Sequence, residues 1–202
     1  SLAKPASASQ GRNEAGVSAL LFATYCGRGE IAQELSLNRS DLDIFEAAAL
    51  GGTERIAELL RQDPSAANAC SPDGFSPLGL AAFFGRLDAL EALIAAGADV
   101  DAPAKNAMRV CPLHSAAANR DPHVAFAAAE KLIAAGADVN AVQHGGWTPL
   151  HQAAAQGNVR LVQLLISRGA SPAARSDDGK TPPPTWRGSG DTGRWSGCRK
   201  PP

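Results

Sequence analysis

Along residues 146–170, GWTPLHQAAAQGNVRLVQLLISRGA, the apolar positions fall into two short helical registers separated by one polar break. Thr148 is a favourable helix N-cap, and Pro149 belongs at the first helical position, where no N–H is needed. His151 then stands third, from where a side chain reaches back toward the cap as in a capping box. Ala153 and Ala154 let this first helix lie close against a neighbour, and Gly157 breaks it. Val159, Leu161, Val162, Leu164, Leu165 and Ile166 supply the apolar side of a second, amphipathic helix. Gly169 closes that helix in the left-handed conformation that glycine adopts at least cost. The pattern predicts a helix–turn–helix unit that cannot cover its apolar face alone.

The same punctuation recurs. Prolines that open helices stand at Pro77, Pro112, Pro149 and Pro182, with spacings of 35, 37 and 33 residues. Glycines that close helices stand at Gly97, Gly136 and Gly169, spaced by 39 and 33. A period near 33 carrying Thr148–His151 (TPLH), Pro112–His114 (PLH), Gly97–Asp101 (GADVD), Gly136–Asn140 (GADVN) and Gly169–Pro172 (GASP) resembles the ankyrin-repeat family. The resemblance covers roughly residues 14–182 and implies an all-α solenoid of stacked helix–turn–helix repeats joined by hairpin-like loops.

Taken in order, residues 1–13 are small and polar and read as a disordered lead, and the first residue, Ser1, reads as that of a processed, recombinant or partial chain. Five repeats follow at about 14–40, 41–73, 74–107, 108–145 and 146–178. The first is divergent and reads as a capping unit, with Ser18 in place of the capping Thr and Ile31, Ala32 and Leu35 matching Leu161, Val162 and Leu165. The second opens at Asp43, and the third is regular but followed by a connection two residues longer than the next one. The fourth departs most. Cys111 replaces the capping Thr, a change that weakens a helix start by ~1 kcal/mol. Pro112 to Gly136 spans 24 residues where Pro77 to Gly97 and Pro149 to Gly169 each span 20, and the excess is expected to bulge around residues 119–123.

After Pro182 a sixth repeat is due, yet the chain reads PPTWRGSG, too rich in proline and glycine for an amphipathic helix. Read one nucleotide earlier with GC-rich codons, residues 184–202 become DLARERGHGEVVRLPEAA, a repeat-like string, so residues 183–202 read as a frame-shifted sixth repeat. The last intact repeat is then left uncapped, a face prone to self-association.

Composition alters this picture little. The net charge of −1 offers no electrostatic footprint for nucleic acid or an anionic membrane, and no apolar run approaches a membrane span. Four scattered cysteines without a C-x-x-C pair suit reduced thiols in a cytoplasmic protein. No phosphate-binding glycine loop or nucleophile motif is present, so neither an active site nor a cofactor or metal is expected. The resemblance implies that His114 and His151 are capping histidines and not ligands. It also implies protein recognition through a concave groove and the hairpin tips, in which Tyr25, Leu50, Phe75, Phe83, Phe84, Asn119, Trp147 and Gln156 are the partner-binding candidates. The function expected is a non-catalytic protein–protein interaction scaffold. The alternative is the recognition module of a larger regulatory or enzymatic polypeptide.

Overall fold

The computed structural model describes residues 12–37 and 39–177. The expected lead, apart from its last two residues, and the frame-shifted tail lie outside the described residues. Among the described residues ten α-helices form five antiparallel pairs: α1 (Ala19–Tyr25) with α2 (Gly29–Ser36), α3 (Ile44–Leu50) with α4 (Thr53–Gln62), α5 (Pro77–Phe83) with α6 (Leu87–Ala95), α7 (Pro112–Ala117) with α8 (Pro122–Ala134), and α9 (Pro149–Ala155) with α10 (Val159–Ser167). No strand is present among the described residues, only an isolated bridge between Arg12 and Ser18. The odd-numbered helices stack in one row from α1 to α9, and α4, α6, α8 and α10 stack in a second.

The helix starts follow the local chemistry. Ser18, Asp43, Ser76 and Thr148 each accept backbone N–H bonds in the first turn of α1, α3, α5 and α9. Asp43 forms a full capping box with Glu46, whose buried carboxylate is also held by Arg39 at 3.2 Å. Cys111 makes no such bond, as its lack of a side-chain oxygen dictates.

The four extra residues of the fourth repeat do not bulge. α8 has 13 residues where α6 and α10 have 9, so the excess is one additional helical turn. Asp121 and Pro122 open that helix as cap and first residue, as the sequence predicts, and Asn119 Oδ1 accepts the Asp121 N–H at 2.9 Å across the turn. An added turn keeps its backbone groups paired within the helix, which a loop of the same length does not. The new turn brings Val124 against Gly85, a left-handed glycine whose place a Cβ would fill.

One apolar core runs from Ile44 to Ala170, with Leu78, Leu90, Leu93, Leu113, Leu132, Leu150, Leu161 and Leu165 buried along it. The first repeat joins through a smaller cluster of Val17, Leu21 and Ala49, backed by Tyr25 and Phe84. Its outer face is not that of a polar cap. Ile31 is 53% and Leu35 38% exposed, although Leu161 and Leu165, the positions they match, are sealed; Phe22 of α1 is exposed as well. The difference is one of neighbours, because α8 covers α10 on that side.

Candidate functional site

Three aromatic residues of the odd-numbered helix row gather at one place. Tyr25 ends α1, whereas Phe83 and Phe84 end α5. The intervening α3 has the small, fully buried Ala49 at this level, so the tyrosine ring reaches across to α5. Its centroid lies 5.3 Å from that of Phe84 and 6.4 Å from that of Phe83, and the two phenylalanines meet edge to face at 5.1 Å. Edge-to-face packing sets the positive rim of one ring on the negative face of the other. Phe83 is 40% exposed, while Tyr25 and Phe84 are half-buried. The Tyr25 hydroxyl donates to Asp73 Oδ2 at 2.9 Å, tying the first repeat to the hairpin of the third. Burial first, then this carboxylate, raises the pKa of the phenol, so Tyr25 stays a neutral donor.

Beside the cluster lies a largely apolar hollow of about 210 Å³ bounded by Tyr25, Phe75, Phe83, Met108, Val110 and His114. Met108, 49% exposed, belongs to no sequence motif; its signal is its place in the lengthened connection two residues before Val110. Phe75 lines this hollow as expected of a hairpin residue, half-buried against the core. Leu50 does not line this hollow. It faces a separate hollow of about 530 Å³ bordered by the first three repeats, lined also by Ala32, Gln33, Phe84 and Arg86. Of the aromatic cluster, Phe84 lines this hollow, whereas Tyr25 and Phe83 line the smaller one. Tyr25 and Phe83 therefore share one hollow, and Leu50 shares the other with Phe84.

The remaining candidates bridge adjacent repeats. Asn119 donates to the Phe83 carbonyl at 2.9 Å while its oxygen caps the Asp121 N–H, which uses both ends of the amide. Gln156, exposed, donates to the Ala118 carbonyl at 3.4 Å. Trp147, half-buried, lies with its ring 5.6 Å from that of His151, and its carbonyl pairs with His114 Nε2 at 3.1 Å. These three residues tie neighbouring repeats together.

The two histidines differ from each other. His151 forms the predicted capping box, with Nδ1 accepting the Thr148 N–H at 3.2 Å. His114 does not, and its buried Nδ1 has no hydrogen-bond partner. The absence of an oxygen at Cys111 removes one partner that Thr148 offers His151 at 2.9 Å. Burial lowers the His114 pKa to about 4, so the ring is neutral at physiological pH. Among the described residues no group of His, Cys, Asp or Glu has a metal-binding arrangement, and no helix is long and apolar enough to cross a membrane. Cys26, Cys70 and Cys111 are free thiols, and burial raises the pKa of Cys111.

Comparison with known proteins places this geometry in context. Two family models match, described as ankyrin repeats in three copies over residues 44–143 and ankyrin repeats in many copies over residues 125–166. The chain is similar to the mouse (Mus musculus) ankyrin repeat and SAM domain-containing protein 6, 28% identical over 69% of the chain and 11% of that protein. It is similar to the ankyrin repeat and SOCS box protein 3 of Bos taurus, 34% identical over 72% of the chain and 27% of that protein. It is also similar to the tyrosine-protein kinase HTK16 of Hydra vulgaris, 31% identical over 57% of the chain and 15% of that protein. The chain thus spans about a tenth to a quarter of the length of these relatives.

Proposed function

Because the chain belongs to the ankyrin-repeat family, a family of protein-interaction modules, we propose that it is a non-catalytic scaffold that binds another protein at the aromatic cluster of α1 and α5. One observation carries this reading: Phe83 stands 40% exposed on a packed aromatic base, beside an apolar hollow of about 210 Å³. That volume is of the order of one large apolar side chain, and an anchor residue entering a preformed pocket is how most interfaces gain their energy. The surface is prefolded, so little conformational entropy is lost when a partner docks. Tyr25, Phe75, Phe83 and Phe84 make the contact, Leu50 lines a neighbouring hollow of mixed polarity, and Asn119, Trp147 and Gln156 hold the wall in place. Free, partly exposed thiols at Cys26 and Cys70 suit a reducing compartment such as the cytoplasm.

The test compares the intact chain with Phe83→Ala in affinity purification, followed by calorimetry against each protein recovered. Loss of a central aromatic anchor costs ~2 kcal/mol or more, about a thirtyfold weaker Kd, with the fold unchanged by circular dichroism. Equal affinity of both forms for every recovered protein removes the aromatic cluster as the binding surface.

A second reading has its own support. Matching relatives are several times longer and include a tyrosine-protein kinase, so the chain serves equally as the recognition part of a larger regulatory or enzymatic polypeptide. The coding sequence on either side of this chain tests it: an open frame running into a further domain supports the module, and stop codons at both edges exclude it.

A further inference from the structure

The last described residues behave as the start of another repeat. Asp177 donates its N–H to the Gly145 carbonyl at 2.9 Å, and Ser176 is buried against the fifth hairpin. A Cβ on Gly146 would meet Asp177 at 2.8 Å. A similar relation holds two steps earlier in the stack, where Lys105 donates to the Gly74 carbonyl at 2.7 Å and a Cβ on Gly74 would meet Lys105 at 2.9 Å. In that earlier case the hairpin leads directly into α7 and α8.

The helix pair before it is also open on the side where a successor would pack. Val162 is half-exposed, whereas Leu90 and Ala129, which hold the same place in the third and fourth repeats, are completely buried. Val159, at 47% exposure, stands beside it.

We propose that this face seats a sixth repeat encoded by the segment now read as residues 183–202, one nucleotide out of frame. The letters specify the occupant. Each tryptophan codon, TGG, gives TG to one shifted codon and G to the next. The first of these is Leu, Met or Val whatever base precedes it, so apolar residues arise at two places regardless of codon choice. With GC-rich codons the string DLARERGHGEVVRL follows. Set with Pro182 on Pro149, its Ala falls on Ala153, its first Gly on the turn residue Gly157, its two Val on Leu161 and Val162, and its last Leu on Leu164. Those are the positions at which the fifth repeat packs or turns. A proline comes next, where Leu165 stands, so the match extends to the counterpart of Leu164.

The test begins with the DNA. Resequencing the codons of Lys180 to Pro202 is expected to show the shifted frame open and coding for this pattern; a stop codon or no repeat pattern in that frame overturns the proposal. The chain as given and a frame-restored chain are then compared by hydrogen exchange. Amides of Val162 and Leu165 are expected to exchange at least tenfold more slowly in the restored form, and equal rates mean that no repeat docks there. A Val162→Glu change gives an independent readout that needs no exchange data. It leaves the melting midpoint of the given chain nearly unchanged and lowers that of the restored chain; equal shifts in both contradict the proposal.

Discussion

The fourth and fifth repeats both carry Pro-Leu-His at the start of their first helix, and the residue in front of that tripeptide sets them apart. Thr148 accepts the His151 N–H, meets Nδ1 through its hydroxyl at 2.9 Å, and donates its own N–H to the same nitrogen. Cys111 has no oxygen to offer, so α7 begins without a side-chain cap and His114 Nδ1 is buried without a partner. What the fourth repeat lacks at one end it regains at the other. The extra turn of α8 starts on a good cap, Asp121, and Lys131 pairs with Glu91 of α6. One repeat is thus locally poor and locally rich, and averaging over its length hides both. A histidine in a repeat motif cannot be assigned a role from its letter, because the partner that satisfies it lies outside the tripeptide.

The largest effect expected from this contrast is on pH dependence. His114 has its pKa lowered to about 4 from an ordinary 6.5, so below pH 6.5 the unfolded chain binds a proton that the folded chain does not. Stability contributed by the neutral ring is complete above pH 6.5 and is lost as pH falls toward 4, by about 3 kcal/mol at most. Urea midpoints measured at pH 7.5 and pH 4.5 check this. A His114→Gln chain is expected to show a visibly smaller difference, and an identical drop in both forms would place the sensitivity elsewhere.

Making the two repeats alike is the next test. Cys111→Thr supplies the missing cap and an oxygen for Nδ1, and is expected to raise stability by roughly 1–2 kcal/mol. The reverse change, Thr148→Cys, should lower it by a similar amount. If both substitutions leave the thermal midpoint where it was, the cap does not govern this difference.

Exchange rates localise the weakness. Amides in the first turn of α7 are expected to exchange several-fold faster than those of α9, while α8 remains as protected as α10. Uniformly fast exchange across residues 112–136 would mean that the added turn offsets nothing.

The smallest effect concerns the approach to the fourth repeat. Arg109 holds a left-handed backbone, φ 51°, in the longer connection, with Asn106 Oδ1 accepting its N–H and that of Met108. Arg109→Gly relieves the conformation but gives up entropy in the unfolded chain, so a gain of only ~0.5 kcal/mol is expected from denaturant titration. A loss of more than that would show that the Arg109 side chain itself holds the hairpin.

Much of this architecture was legible in the letters, and for one physical reason. Helix starts and stops are set by backbone groups that must be satisfied within about four residues, so Ser18, Asp43, Ser76, Thr148 and the spaced prolines and glycines suffice to mark the helix pairs. The sequence also held the candidates for recognition, because Phe83 and Phe84 share a register with Tyr25 just before a turn glycine. Tertiary structure alone decided which of them meet. Tyr25 reaches α5 because Ala49 between them is small, and Leu50, one residue further on, faces another hollow. It alone placed the four extra residues inside α8, left Ile31 and Leu35 exposed where their counterparts are sealed, and deprived His114 Nδ1 of a partner. In each case the outcome depends on what covers a face, and that neighbour lies a full repeat away along the chain.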